Sequence, residues 1–161
     1  MATAPDGIWS NVLYNAQTLL ANSANFRTWV GAADVAEARN SIHMVAYESE
    51  SPTRPFAIVA EGREWGFEMD AGGAGFTYMA TGIVAVTFEA SITEASEPDA
   101  QFEFTNPVGK IIDDCLALAG TDGLLAVHGF SKTYGPSRPS ERDDAAQGNY
   151  YRAKFDFAWG P

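Results

Sequence analysis

The sequence predicts an α+β fold, a mainly antiparallel sheet with helices packed on one face, and three observations lead there. Helical periodicity occupies the first forty residues and returns at residues 106–120, whereas period-two alternation fills residues 42–92, 122–132 and 150–159. The elements come in blocks of helix, strands, helix and strands, without the regular βαβ alternation of a doubly wound parallel sheet. No repeat, low-complexity tract or Pro/Ser linker divides the chain. Residues 1–161 therefore read as a single domain, with a long polar loop or arm at about 133–149.

After Pro5 and Asp6, a good N-cap, the stripe Ile8, Val12, Ala16, Leu19, Leu20, widened by Trp9 and Leu13, predicts a helix from about Asp6 to Ala21. Phe26, Trp29 and Val30 then mark a short helix that Gly31 interrupts, and Asp34 is placed to cap a further turn reaching Arg39. From Ile42 the period changes to two. "HMVAYES", "FAIVAEG" and "REWGFEMD" read as successive strand runs, the last alternating Trp65, Phe67 and Met69 with Glu64, Gly66 and Glu68. "DAGGAG", residues 70–75, has the glycines of a hairpin connection. The following "FTYMATGIVAVTFEASI" predicts a long strand with Val84, Val86, Phe88, Ala90 and Ile92 inward and Ala85, Thr87, Glu89 and Ser91 outward.

"TNPVGKIIDDCLALAG" carries helix punctuation: Asn106 as N-cap, Pro107 at the first helical position and Gly120 just past the end. Its apolar stripe is Val108, Ile111, Ile112, Cys115, Leu116 and Ala119; Lys110, Asp113, Asp114 and Ala117 mark a solvated side. "DGLLAVHGFSK" reads as a further strand, followed by the polar, proline- and glycine-bearing stretch 133–149. The terminal "GNYYRAKFDFAWGP" puts Tyr151, Ala153, Phe155, Phe157 and Trp159 on one face. Tyr150, Arg152, Lys154, Asp156 and Ala158 fall on the other.

The composition sets limits on function. With 46% hydrophobic residues, a chain of this length buries roughly two-thirds of its unfolded surface and needs no staple. Ten Lys and Arg against 21 Asp and Glu give a net charge of −11, which argues against nucleic-acid binding by the whole surface. The single cysteine, Cys115, rules out an internal disulfide and a cysteine-cluster metal site. The opening "MATAPDGIWSNVLYNAQ" lacks the pattern of a secretory signal, and no run approaches the ~18 apolar residues of a membrane span, so the expectation is a protein made in the cytosol without membrane contact.

The search for chemistry returns surfaces rather than a catalytic set. His43 and His128 each sit within alternating strands without a nucleophile elbow or an orienting acid. The glycines at 72, 73 and 75 lack the Gly-Lys-Ser/Thr continuation of a phosphate loop. Asp113 and Asp114 lack the ladder of a calcium loop, and the acidic pairs Glu48/Glu50 and Glu94/Glu97 lie in polar turn regions. The expectation is a non-enzyme with no cofactor or metal. What remains are assembly-like surfaces, and the candidate subunit or partner contacts are Asp70, Gly72 and Gly73 at the hairpin, Arg138 and Arg142 in the polar stretch, and Arg152 and Lys154 on the terminal strand.

Taken in order, "GIWSNVLYNAQTLLANS", "GIVAVTFEASI", "NPVGKIIDDCLALAG", "DGLLAVHGF" and "GNYYRAKFDFAWG" resemble the elements of the tail terminator (tail-completion) proteins of long-tailed bacteriophages. That resemblance spans nearly the whole chain through structural patterns. It implies a homo-oligomer, a hexameric ring that caps the tail tube and joins it to the head-neck connector. The partners would be the tail tube protein and the neck connector protein, with DNA passing through the lumen without specific binding. It implies assembly in the host cytoplasm, a place in the virion tail or neck, and no catalytic residues. The nearest alternatives are another neck, head-completion or tail-tube protein and, in a different class, a small-molecule binding module or enzyme with an aromatic-lined pocket. A concave site with converging polar groups would mark the latter, and His43 and His128 meeting an acid in one cavity would favour it.

Overall fold

The computed structural model describes residues 8–44, 52–70, 77–93, 96–120, 127–132 and 150–159. Helix α1, Ile8–Asn22, buries the expected stripe of Val12, Leu13, Ala16, Leu19 and Leu20. Ser23 ends it and caps the next helix, α2 (Ala24–Val30), its hydroxyl accepting the Phe26 N–H at 3.0 Å. Gly31 closes α2 at φ 72°, a left-handed conformation that glycine adopts without strain. Asp34 then caps α3, Val35–Arg39, by accepting the Glu37 N–H at 2.8 Å. The Gly31 and Asp34 boundaries follow the sequence punctuation, and the Asp6 cap expected for α1 lies outside the described residues.

The strands are β1 (Ile42–His43), β2 (Phe56–Asp70), β3 (Thr77–Ser91), β4 (Val127–Lys132) and β5 (Tyr150–Trp159). They form one sheet in the order β1-β2-β3-β5-β4, antiparallel except for the short parallel β1–β2 pair. The fold is α+β, as the alternating periods imply. Two differences stand out, and the first concerns the strands. The runs "FAIVAEG" and "REWGFEMD" join into a single 15-residue β2, broken only by a register shift between Glu61 and Trp65. Within that shift a Cβ on Gly62 would stand 2.4 Å from the Ile83 carbonyl oxygen, so the close approach of β3 demands glycine. Of the run 43–49, only His43 falls in a described strand; residues 45–49 lie outside the described residues.

The second difference is helix α4, which runs Glu97–Leu118, so Asn106 is not its N-cap and Pro107 lies inside it. Ser96 is the cap, with Pro98 in the first turn. The reason is the apolar stripe, which extends upstream through Phe104 and Ala100; both are buried, at helical spacing from Val108. That packing offsets the backbone hydrogen bond that proline forgoes. Gly120 does sit just past the end with φ 73°. Leu116, expected in the stripe, is exposed.

The helices pack on the face of the sheet that carries Ala57, Val59, Val84, Val86, Phe88, Ala90, Tyr151, Ala153, Phe155 and Phe157. Trp29 meets Phe88 edge-on at 5.9 Å, Phe88 meets Phe155 at 5.9 Å, and Phe104 stacks on Tyr151 at 5.9 Å. Each fully buried side chain of this kind contributes roughly 1.5–3 kcal/mol. Cys115 is buried among them, as expected.

Asp114, expected on a solvated face, instead locks the helices together. Its Oδ2 accepts the Ser23 hydroxyl at 2.7 Å and the Asn25 backbone and side-chain amides at 3.0 Å, which places a carboxylate from α4 on the open N–H groups of α2. Arg27 completes the junction by donating to the Ala21 and Asn22 carbonyls at the end of α1. Burial works to raise the Asp114 carboxyl, but the bonds from the Asn25 N–H, the Ser23 hydroxyl, the Asn25 amide and the Ala24 N–H outweigh it and hold the group below its ordinary value.

Replacing Asp114 by Ala is expected to lower the unfolding free energy by about 1.5–3 kcal/mol in urea titrations, the range for hydrogen bonds to a charged group. Because the folded carboxyl titrates below the unfolded one, at about 3.9, the unfolded chain takes up the proton first as pH falls. The contribution of Asp114 is therefore complete above that value and lost as pH drops through the folded value. Asp114→Asn should show a correspondingly shallower acid limb.

Candidate functional site

The face of the sheet away from the helices holds a charged cluster. On β3 the odd-numbered residues occupy this face, with Phe56 of β2 on one side of Glu89 and Arg152 of β5 on the other. Glu89 was expected outward among solvated residues, yet it is 2% exposed. Arg54, just before β2, donates Nε to Glu89 Oε1 at 2.7 Å, and Arg152 donates Nε to Oε2 at 2.8 Å. Both guanidinium groups also bring Nη2 to the same oxygens, at 2.7 and 2.6 Å. The Arg54 guanidinium lies 4.1 Å over the Tyr150 ring, and Phe56 takes the His43 ring edge-on at 5.5 Å. Ala85 and Tyr150, likewise expected outward, are buried on this face. The physical cause is one-to-two charge matching: a carboxylate clamped by two arginines becomes cheap enough to bury.

The arrangement fixes what Glu89 can do. Both of its oxygens are occupied by guanidinium donors, which holds it as an acceptor and leaves it without the free geometry of a general acid or base. Arg152 is 48% exposed, so the cluster presents its cationic side to solvent.

The sequence-selected contacts are not gathered into one place. Asp70 ends β2 opposite Thr77, whereas Lys154 stands opposite Thr87, ten residues away along β3 or about 33 Å. Arg152 lies on the same face as Lys154 and its charge is directed to Glu89. Gly72 and Gly73, and Arg138 and Arg142, lie outside the described residues. Arg54, Glu89 and Tyr150 had not been singled out by sequence. The available signal was the opposite charge of Glu89 and Arg152 on two long strands, which marks a cross-strand pair once the strands are known to be neighbours.

His43 and His128 sit on β1 and β4, the two opposite edges of the sheet, so the backbone keeps them about four strand spacings, or about 19 Å, apart. The meeting that would have favoured the pocket reading is therefore not seen between these two residues. Among the described residues no group of three or more His, Cys, Asp and Glu could hold a metal ion. A shallow depression on α4 is lined by Asp99, Phe102, Glu103, Asn106 and Pro107. Burial, with the charge of Asp114 beside it, pushes the Cys115 thiol up to about 12.

The remaining geometry concerns the rims of the sheet. β5 reaches β3 only from Gly82 to Ser91, and β1 reaches β2 only at Ala57 and Ile58. Past these limits, Trp65–Asp70 and Thr77–Gly82 form a two-stranded ribbon in which, among the described residues, Gly82 alone has a second strand partner, Trp159. Six residues carry it about 20 Å. At the other rim, β4 pairs with β5 on one side, and its second side has no described partner.

No protein-family model matches the sequence, and no curated protein matches it either. Among the described residues no helix is long and apolar enough to cross a membrane.

Two outcomes follow from this chemistry. Glu89→Ala, which removes from a 2% exposed position the carboxylate that both arginines contact, is expected to cost about 3 kcal/mol in urea unfolding, against about 1 kcal/mol for Arg152→Ala at its half-exposed position. Cys115 is expected to stay unmodified by a thiol reagent at neutral pH in the native protein, and to react with one equivalent in denaturant.

Proposed function

We propose that the chain is a structural virion protein, a tail terminator whose copies form a ring that caps the tail tube and joins it to the head-neck connector. The observation that carries this reading is the open rim of the sheet, with the β2–β3 ribbon extending past β5. A two-stranded ribbon has little stability of its own in water, so it gains most from a further protein surface laid against it. The order of elements, which resembles that of tail terminators, gives the surface its identity. Asp70 at the end of β2, and Gly72, Gly73, Arg138 and Arg142 outside the described residues, are the further contacts in this reading. The partners are other copies, in a hexamer, together with the tail tube protein and the neck connector protein. A net charge of −11 suits a ring wall past which DNA moves, because like charge keeps the wall from gripping the phosphates.

Light scattering on the purified chain is expected to give a closed oligomer, and electron microscopy of particles to place it where tail meets neck. Particles assembled without the subunit should carry tubes of uncontrolled length; tubes of normal length would assign the chain elsewhere in the tail.

A further inference from the structure

We infer that neighbouring copies join by strand addition, the β2 overhang of one copy pairing with the β4 edge of the next; this rests on the ring reading. Each segment has one side without a described partner, and the two match in three respects. First, Trp65–Asp70 and Val127–Lys132 are each six residues long. Second, their directions agree. β2, β3, β5 and β4 alternate in direction across the sheet, so a copy placed alongside in the same orientation brings its β2 antiparallel to β4, the more stable pairing. Third, their charges are opposite. The overhang carries Glu68 and Asp70 and no cation; β4 carries Lys132 and His128 and no acid. On a chain of net charge −11, a rim free of acids is the place where an acidic strand of a second copy meets least repulsion.

The offset matters as well. β4 lies level with the part of β3 from Gly82 to Val86, whereas the overhang lies beyond Gly82, so the joined copies are staggered along the strands. The part of β2 directly level with β4 is interrupted by the register shift at Glu61–Trp65, a feature that protects an edge from direct pairing. Stagger of this kind is what a sheet needs to curve and close. The two rims differ, so the contact is heterologous and generates a ring when the rotation closes.

Charge reversal on each rim tests the inference. Glu68→Lys with Asp70→Lys, and separately Lys132→Glu, should each weaken self-association on the order of tenfold at low ionic strength, with the thermal midpoint of each variant confirming that it folds. An equal mixture of the two variants should reassemble, because each rim then meets its complement. In the wild type, amide exchange at Trp65–Asp70 and Val127–Lys132 should slow together as the protein is concentrated. An oligomer that both variants leave intact, or a mixture that does not reassemble, overturns the strand-addition inference while leaving a ring. A wild-type chain that stays monomeric with fast exchange at both rims also overturns it, and whether purified particles contain the chain then decides the ring reading separately.

Discussion

The ladder between β3 and β5 is the constraint on which the rest of the structure depends. It runs from Gly82 opposite Trp159 to Ser91 opposite Tyr150, ten aligned pairs joining segments separated by more than half of the β-forming part of the chain. Both of its faces are committed. The even row of β3, with Tyr151, Ala153, Phe155 and Phe157, meets the helices, and the odd row sets Glu89 against Arg152. A slip of one residue would carry Phe155 and Phe157 onto the charged face and Arg152 into the core, so the register is specified from both sides at once. The aromatic terminal segment is thus an interior strand, flanked by β3 and β4, and its burial follows from that place in the order.

The legible features were the local ones. The inward rows at 84–90 and 151–157, the caps at Asp34 and Gly31, and the stripe of α1 each depend on residues a few positions apart, and each appears as expected. The features that escaped are decided by partners remote in sequence. Glu89 sits at an outward position of its strand, and only Arg54, 35 residues before it, and Arg152, 63 residues after it, make that position a buried one. Asp114 looked like half of a solvated pair until α2, 91 residues upstream at Ser23, supplied its donors. Pro107 misled for a different reason: it is a strong local stop signal that was outweighed by a longer-range apolar stripe containing Ala100 and Phe104. The open rims were not legible at all, since strand order is not a property of any one segment.

The ten cations of this acidic chain are used sparingly, and several serve the interior. Arg27 closes the carbonyl end of α1, Arg39 lies 4.4 Å over the Tyr14 ring and bonds Thr18, and Arg54 and Arg152 hold Glu89. Their guanidinium groups are committed to particular acceptors through a planar array of donors, which lysine could not reproduce.

In the ring proposed above, the net charge bears on how copies meet. Copies of net charge −11 repel one another at the scale of the whole molecule, tens of ångströms across, while strand addition acts over a few ångströms through backbone hydrogen bonds and the few charges at the rims. The screening length at physiological ionic strength, about 8 Å, falls between these scales. Added salt therefore removes the repulsion between copies before it removes the attraction between touching rims. In the proposed ring, the contact between rims is therefore weakened less by added salt than the repulsion between whole copies.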